Sequence, residues 1–140
     1  MVQSRETPAS AVKWFGLTID CADDPAAVEA LRRFYLEALD GELVRGVSVR
    51  ARGLLLIFQR VKGYQAPTWP TSDTPKQMHF EWMVDDLAQA RARLEDLGAS
   101  LAIHQDMDDP TFCVMLDPAG HPFCLIADDA MHPDYRPPAT

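Results

Sequence analysis

The chain reads as an α+β fold made of two βαβββ units, and three observations predict it. The second half repeats the order of the first: strand, acid-capped helix, short strand, hydrophobic hairpin. The opening strands, Trp14 to Asp20 (WFGLTID) and Met78 to Asp85 (MHFEWMVD), each put apolar side chains at every second position, the period of a strand. Each strand runs into an Asp pair and then an apolar stripe at helical spacing that closes near a glycine. Two copies of one sheet unit, joined, curve around a cleft, so the repeat predicts a cup-shaped sheet with a binding pocket.

In the first strand Phe15, Leu17 and Ile19 share one face, and Trp14, Gly16 and Thr18 the other. Asp23-Asp24-Pro25 is a helix start, because an Asp oxygen caps free amides and proline fits the first turn. Val28, Leu31, Phe34, Tyr35 and Leu39 form the stripe, and Gly41 is placed to end the helix in a left-handed cap. Strands are expected near Glu42 to Val44, Val47 to Arg50 and Leu54 to Val61. The stretch GYQAPTWPTSDTP between Lys62 and Lys76 lacks periodicity and reads as a linker. The second unit sets Met78, Phe80, Trp82 and Val84 against His79, Glu81 and Met83, then caps a helix at Asp85-Asp86 that ends at Leu97 and Gly98. A strand near Ser100 to His104, an acidic loop (QDMDDP) and a hairpin of Thr111 to Leu116 with Pro122 to Ala127 complete it. His121, after the turn glycine, is expected to help shape that hairpin.

Composition narrows the function. The 140 residues, 47% apolar and 24% charged, suit one globular domain. A formal charge of −8 argues against a nucleic-acid partner, which needs clustered Lys and Arg to displace counterions. No apolar run reaches membrane-span length and the N-terminus has no apolar signal region, so a cytoplasmic location with no membrane partner is expected. Cys21, Cys113 and Cys124 form no CxxC and read as reduced thiols. His104 with Asp106, Asp108 and Asp109 lacks the glycine and terminal Glu of an EF-hand loop and reads as solvated.

The βαβββ order, with VDDL opening the second helix and DPAGHPF in the last hairpin, resembles the vicinal oxygen chelate superfamily, and within it the glyoxalase-like, bleomycin-resistance-related small proteins. The resemblance implies one glyoxalase-like domain over 11–128 (units 11–62 and 77–128, linker 63–76, tail 129–140), often completed as a homodimer. Metal-dependent members carry a ligand near the start of each unit's first strand and another on its last strand. Carried over on Gly16-Leu17-Thr18, Val84-Asp85-Asp86-Leu87, Gly53 and Gly120, those positions are Trp14, His79, Ile57 and Cys124.

Only His79 and Cys124 of the four donate to a metal, short of the about three ligands a catalytic divalent site uses. Glu81 or Gln59, one step along the same faces, would extend the set. The expectation is therefore a binding or sequestering protein of the bleomycin-resistance type without a cofactor, taking an aromatic or amphipathic organic molecule. The alternative is a lyase, isomerase or dioxygenase-like enzyme using His79 and Glu81 as catalytic groups, or a weakly held divalent metal. Ligand contacts are expected from Trp14, Gly16, Ile57, Gln59, His79, Glu81 and Cys124 on the cup face, with Tyr64 and Trp69 as a lid. Trp14 would supply an aromatic wall where a metal ligand would stand.

Overall fold

The computed structural model describes residues 11–12, 15–105 and 109–127. Trp14, Asp106, Asp108 and the tail from Asp128 lie outside the described residues. The first unit is β1 (Gly16–Ala22), α1 (Pro25–Ala38), β2 (Glu42–Val44), β3 (Ser48–Ala51) and β4 (Leu54–Val61). The second is β5 (Glu81–Val84), α2 (Leu87–Asp96), β6 (Ser100–Leu101), β7 (Phe112–Leu116) and β8 (Pro122–Ala127). Each makes a four-stranded mixed sheet of the same order, β1-β4-β3-β2 and β5-β8-β7-β6, so the repeat read from the sequence is a repeat of topology. In each, the first strand runs parallel to the last and the other pairs are antiparallel. Among the described residues no ladder joins the two sheets.

Local chemistry sets the helix ends. Asp24 caps α1, its carboxylate accepting from the Ala26 amide at 3.0 Å, and Asp86 caps α2 through the Gln89 amide at 2.9 Å. The expected left-handed cap at Gly41 is corrected: Asp40 takes the positive φ of 49°. Gly41 is needed for close approach instead, since a Cβ there would stand 2.7 Å from Val49 Cγ1. Gly120 combines both demands, with φ 88° and the Cβ of Ala66 2.7 Å from where its own would lie. The 63–76 linker thus presses on the last hairpin.

One core lies under both helices. Leu31, Phe34 and Tyr35 of α1 are buried with Ile19, Cys21, Val49 and Leu56 of the first sheet and Met115, Phe123 and Leu125 of the second. Helix α1 reaches across the seam: Phe34 stacks on Trp82 at 6.1 Å, and Tyr35 meets Phe58 and Phe80, each at 5.9 Å. Trp82 in turn packs on Phe123 at 4.5 Å. The Tyr35 hydroxyl donates to Asp117 Oδ2 at 2.7 Å, tying the helix of one unit to the hairpin turn of the other. Asp117 is 3% exposed, and its other oxygen accepts from the amides of Ala119 (2.9 Å) and His121 (3.0 Å).

Leu17, Ile19, Phe80, Trp82 and Val84 all face this core, as their alternation predicts. Phe15 does not: it is 71% exposed, because β1 begins at Gly16 and the residue before it is outside the ladder. The strand expected over Ser100 to His104 stops at Leu101. Gln105 takes its place: its amide nitrogen donates to the carbonyls of Ala102 and Val114, and its oxygen accepts from the Val114 amide. A side-chain amide here does the pairing of a strand residue, and Ile103 is left 95% exposed.

Candidate functional site

Strand register assembles a polar cluster on the face away from the core. Glu81 pairs with Cys124 across the parallel β5–β8 ladder, so the two side chains stand side by side. His79 lies two residues before Glu81 and shares its face. Its Nε2 is 3.6 Å from Glu81 Oε1, and donor atoms of His79, Glu81 and Cys124 all lie within 4.8 Å of one another. Burial is the main cause pushing the Cys124 thiol up, with the Glu81 carboxylate adding to it and the Lys76 ammonium opposing it. At neutral pH Cys124 is therefore a thiol, a poor nucleophile without a metal or base to remove its proton.

The matching face of the first sheet carries different chemistry. Gly16, Thr18 and Asp20 pair with Leu55, Ile57 and Gln59, giving a surface whose only ionisable side chain in these three pairs is Asp20. Gln59 is exposed and Ile57 half-buried.

A cavity of about 540 Å³ opens at the seam, between β1 and residues 75–80. Leu17, Ile19, Tyr35, Phe80 and Pro122 give it apolar walls. Thr18, Asp20, Lys76, His79 and His121 supply its polar groups. Because the sheets share a core and no ladder joins them among the described residues, the space lies where their edges meet. Of the site residues expected from sequence, His79 alone among the described ones lines this cavity. Glu81 and Cys124 join His79 just outside it, while Gly16, Ile57 and Gln59 are on the first sheet's cup face.

Tyr64 and Trp69 sit in the linker, each already engaged. The Tyr64 hydroxyl donates to the Ala119 carbonyl at 2.7 Å and lies 3.2 Å from His121 Nε2. Burial pushes its phenol up, so it remains a donor. Trp69 carries the Lys76 ammonium 3.6 Å from its ring centroid. The linker is closed on itself beneath them, with the Thr68 amide bonded to the Thr74 carbonyl at 2.7 Å and a bridge from Thr68 to Pro75.

Sequence reasoning does not place Tyr35, Lys76 or His121 in the site. His121 does shape the hairpin, through its amide on Asp117. Its ring does more: Nε2 lies 2.7 Å from the Asp20 carbonyl, an acceptor, so that nitrogen carries the hydrogen and holds the hairpin against β1. The DPAGHPF motif is the available signal for His121. For Tyr35 and Lys76, on a helix stripe and in a linker, no local pattern marks a cavity wall.

The sequence profile of the family described as a glyoxalase-like domain matches residues 16–126. Among solved structures, the chain is similar to a glyoxalase-related enzyme from Fulvimarina pelagi, with 18% identity over 84% of this chain and 90% of that one and a TM-score of 0.54. It is also similar to a mutant of the fosfomycin resistance protein FosX from Listeria monocytogenes, complexed with Mn(II) and 1S,2S-dihydroxypropylphosphonic acid. There the identity is 13%, coverage 81% and 89%, and the TM-score 0.57. A glyoxalase/bleomycin resistance protein/dioxygenase family enzyme from Burkholderia phytofirmans matches at 13% identity over 79% and 94%, with a TM-score of 0.51. No curated protein matches the sequence. No helix among the described residues is long and apolar enough to cross a membrane.

Proposed function

The chain belongs to the glyoxalase-like domain family, and from that premise we propose that it binds a small, flat, amphipathic organic molecule in the seam cavity without a metal. The observation that carries this is the cavity itself. Its volume of about 540 Å³ falls within the roughly 300 to 1,000 Å³ of small-molecule sites, and its walls join apolar side chains to a few convergent polar groups. Leu17, Ile19 and Phe80 would clasp the body of the ligand, and His79 and Thr18 would fix its orientation. A ligand of this kind stabilises the folded state by mass action, by about 2.7 kcal/mol at one hundred times its Kd. Thermal denaturation and tryptophan fluorescence across a panel of aromatic compounds test the reading. It is abandoned if no compound raises the melting temperature.

A second reading is favoured by the His79, Glu81 and Cys124 cluster. An imidazole, a carboxylate and a thiolate make a three-donor set for a zinc-like ion, and the 3.6 Å between Nε2 and Oε1 suits two ligands of one metal. The three residues therefore fit such an ion. A bound ion would supply Lewis-acid polarisation of a ligand oxygen. With or without it, His79 and Glu81, 3.6 Å apart, would together hold or move a proton on a ligand atom at the cavity rim. Elemental analysis separates the readings. The first expects no stoichiometric transition metal; one ion per chain, lost on His79→Ala, establishes the second.

A further inference from the structure

We infer that the ligand of the seam cavity is an organic anion, its charged group seated at Lys76 and its apolar body between β1 and residues 75–80; this rests on the cavity being the binding site. Among the described lysines and arginines only Arg32 and Lys76 are partly buried rather than exposed. Arg32 is compensated by the Glu29 carboxylate and by the Val47 carbonyl at 3.1 Å. Lys76 has no such partner: no described carboxylate lies within ion-pair distance, and its ammonium rests over the Trp69 ring. An aromatic face holds a cation in place but leaves its charge in full. A partly buried lysine that lines a cavity and has no described carboxylate within ion-pair distance is therefore a seat for an anion.

The surroundings agree. Lys76 is the only lysine or arginine that lines the cavity. Two carboxylates are near, and neither occupies the seat: Glu81 faces His79 at 3.6 Å, and Asp20 is exposed on β1 across the cavity. The backbone that carries Lys76 is held in advance, since Pro75 beside it bridges to Thr68 and the linker loop is closed by Thr68 and Thr74. Little ordering is left for a ligand to impose.

The test compares three probes of one shape, naphthoate, naphthamide and naphthylmethylamine, by fluorescence titration and melting temperature. The acid is expected to bind at least about tenfold more tightly than the amide, as a charge-assisted hydrogen bond would give. That preference should shrink near about 1 M salt, where screening acts within about 3 Å. Lys76→Gln should bring the acid down to the amide's affinity, and Lys76→Arg should keep the preference. If Lys76→Gln does not fold, Lys76→Arg and the salt dependence of the natural protein decide the matter. An amide or amine that binds as tightly as the acid, or a preference that survives Lys76→Gln, overturns the inference and leaves the cavity reading standing. If none of the three binds, the inference falls, and the wider aromatic panel decides the cavity reading.

Discussion

The two units share one topology and divide the labour between them. The first has the long strands, seven and eight residues in β1 and β4, and a fourteen-residue helix that buries Leu31, Phe34 and Tyr35. The second has a four-residue β5 and a ten-residue helix that buries only Leu94. Its aromatic face is covered largely by the first unit's helix, through Phe34 and Tyr35 on Trp82. The cup faces differ in the opposite sense: Gly16, Thr18 and Ile57 on the first sheet, His79, Glu81 and Cys124 on the second. Duplication supplies two equivalent surfaces, and here one supplies rigidity while the other supplies donors. A site needs its donors held by packed elements, and the shared helix provides that support.

The sharpest way to break this arrangement is at the shared packing. Trp82→Ala removes the ring that Phe34, Tyr35 and Phe123 contact, and should destabilise the fold by about 3 to 5 kcal/mol in urea denaturation. Met83, its neighbour on the opposite face, is absent from the core, and Met83→Ala should cost far less. Equal losses at the two positions would show that the second sheet does not lean on α1 as described.

The Tyr35–Asp117 bond between the units comes next in size. Asp117→Ala leaves the Tyr35 hydroxyl and the amides of Ala119 and His121 without their acceptor, which should cost about 2 to 4 kcal/mol. Burial, the largest cause, raises the Asp117 carboxyl above its usual range against the pull of its donors. Its folded pKa thus exceeds the unfolded value of about 3.9. The stability tied to its proton is complete below about pH 3.9 and is lost as pH rises through the folded value. Asp117→Asn, neutral throughout, should lack this loss, so its stability relative to the natural chain should rise as pH increases from 4 to 7. Parallel profiles for the two proteins would refute the assignment.

The fold is legible in the sequence because it rests on local signals. Period-two strands, Asp24 and Asp86 at helix starts and the turn at Asp117 to Gly120 predict β2, β4 and β8 with the boundaries observed. Gln105 shows where such signals end, since its side chain replaces the strand pairing expected of Ile103 and His104. The site is legible only where register alone determines it. His79 lies two residues ahead of Glu81, just before the start of β5, which opens later than the strand expected from Met78; their common face can still be read from the alternation, whereas Cys124 beside Glu81 comes from the resemblance and the ladder. The seam cavity depends on how two sheets meet without a ladder, and on Tyr35, Lys76 and His121 arriving from a helix, a linker and a hairpin. Nothing in their sequence neighbourhoods encodes that meeting.

The smallest expected effect on stability falls at the polar cluster, and it sharpens the comparison most. His79, Glu81 and Cys124 contribute donors rather than core, so His79→Ala and Glu81→Gln should each change stability by no more than about 0.5 kcal/mol. The His79–Glu81 pair is too exposed to add much as an ion pair. Zinc titration should separate them from the rest of the surface. If the cluster takes up an ion, either substitution should weaken binding at least about tenfold, while Gln59→Ala on the first sheet's equivalent face should leave it unchanged. The asymmetry between the two cup faces is then a chemical one. Should Gln59→Ala weaken zinc binding as much as His79→Ala, the donors span both sheets, and the division of labour drawn from the second unit's register must be given up.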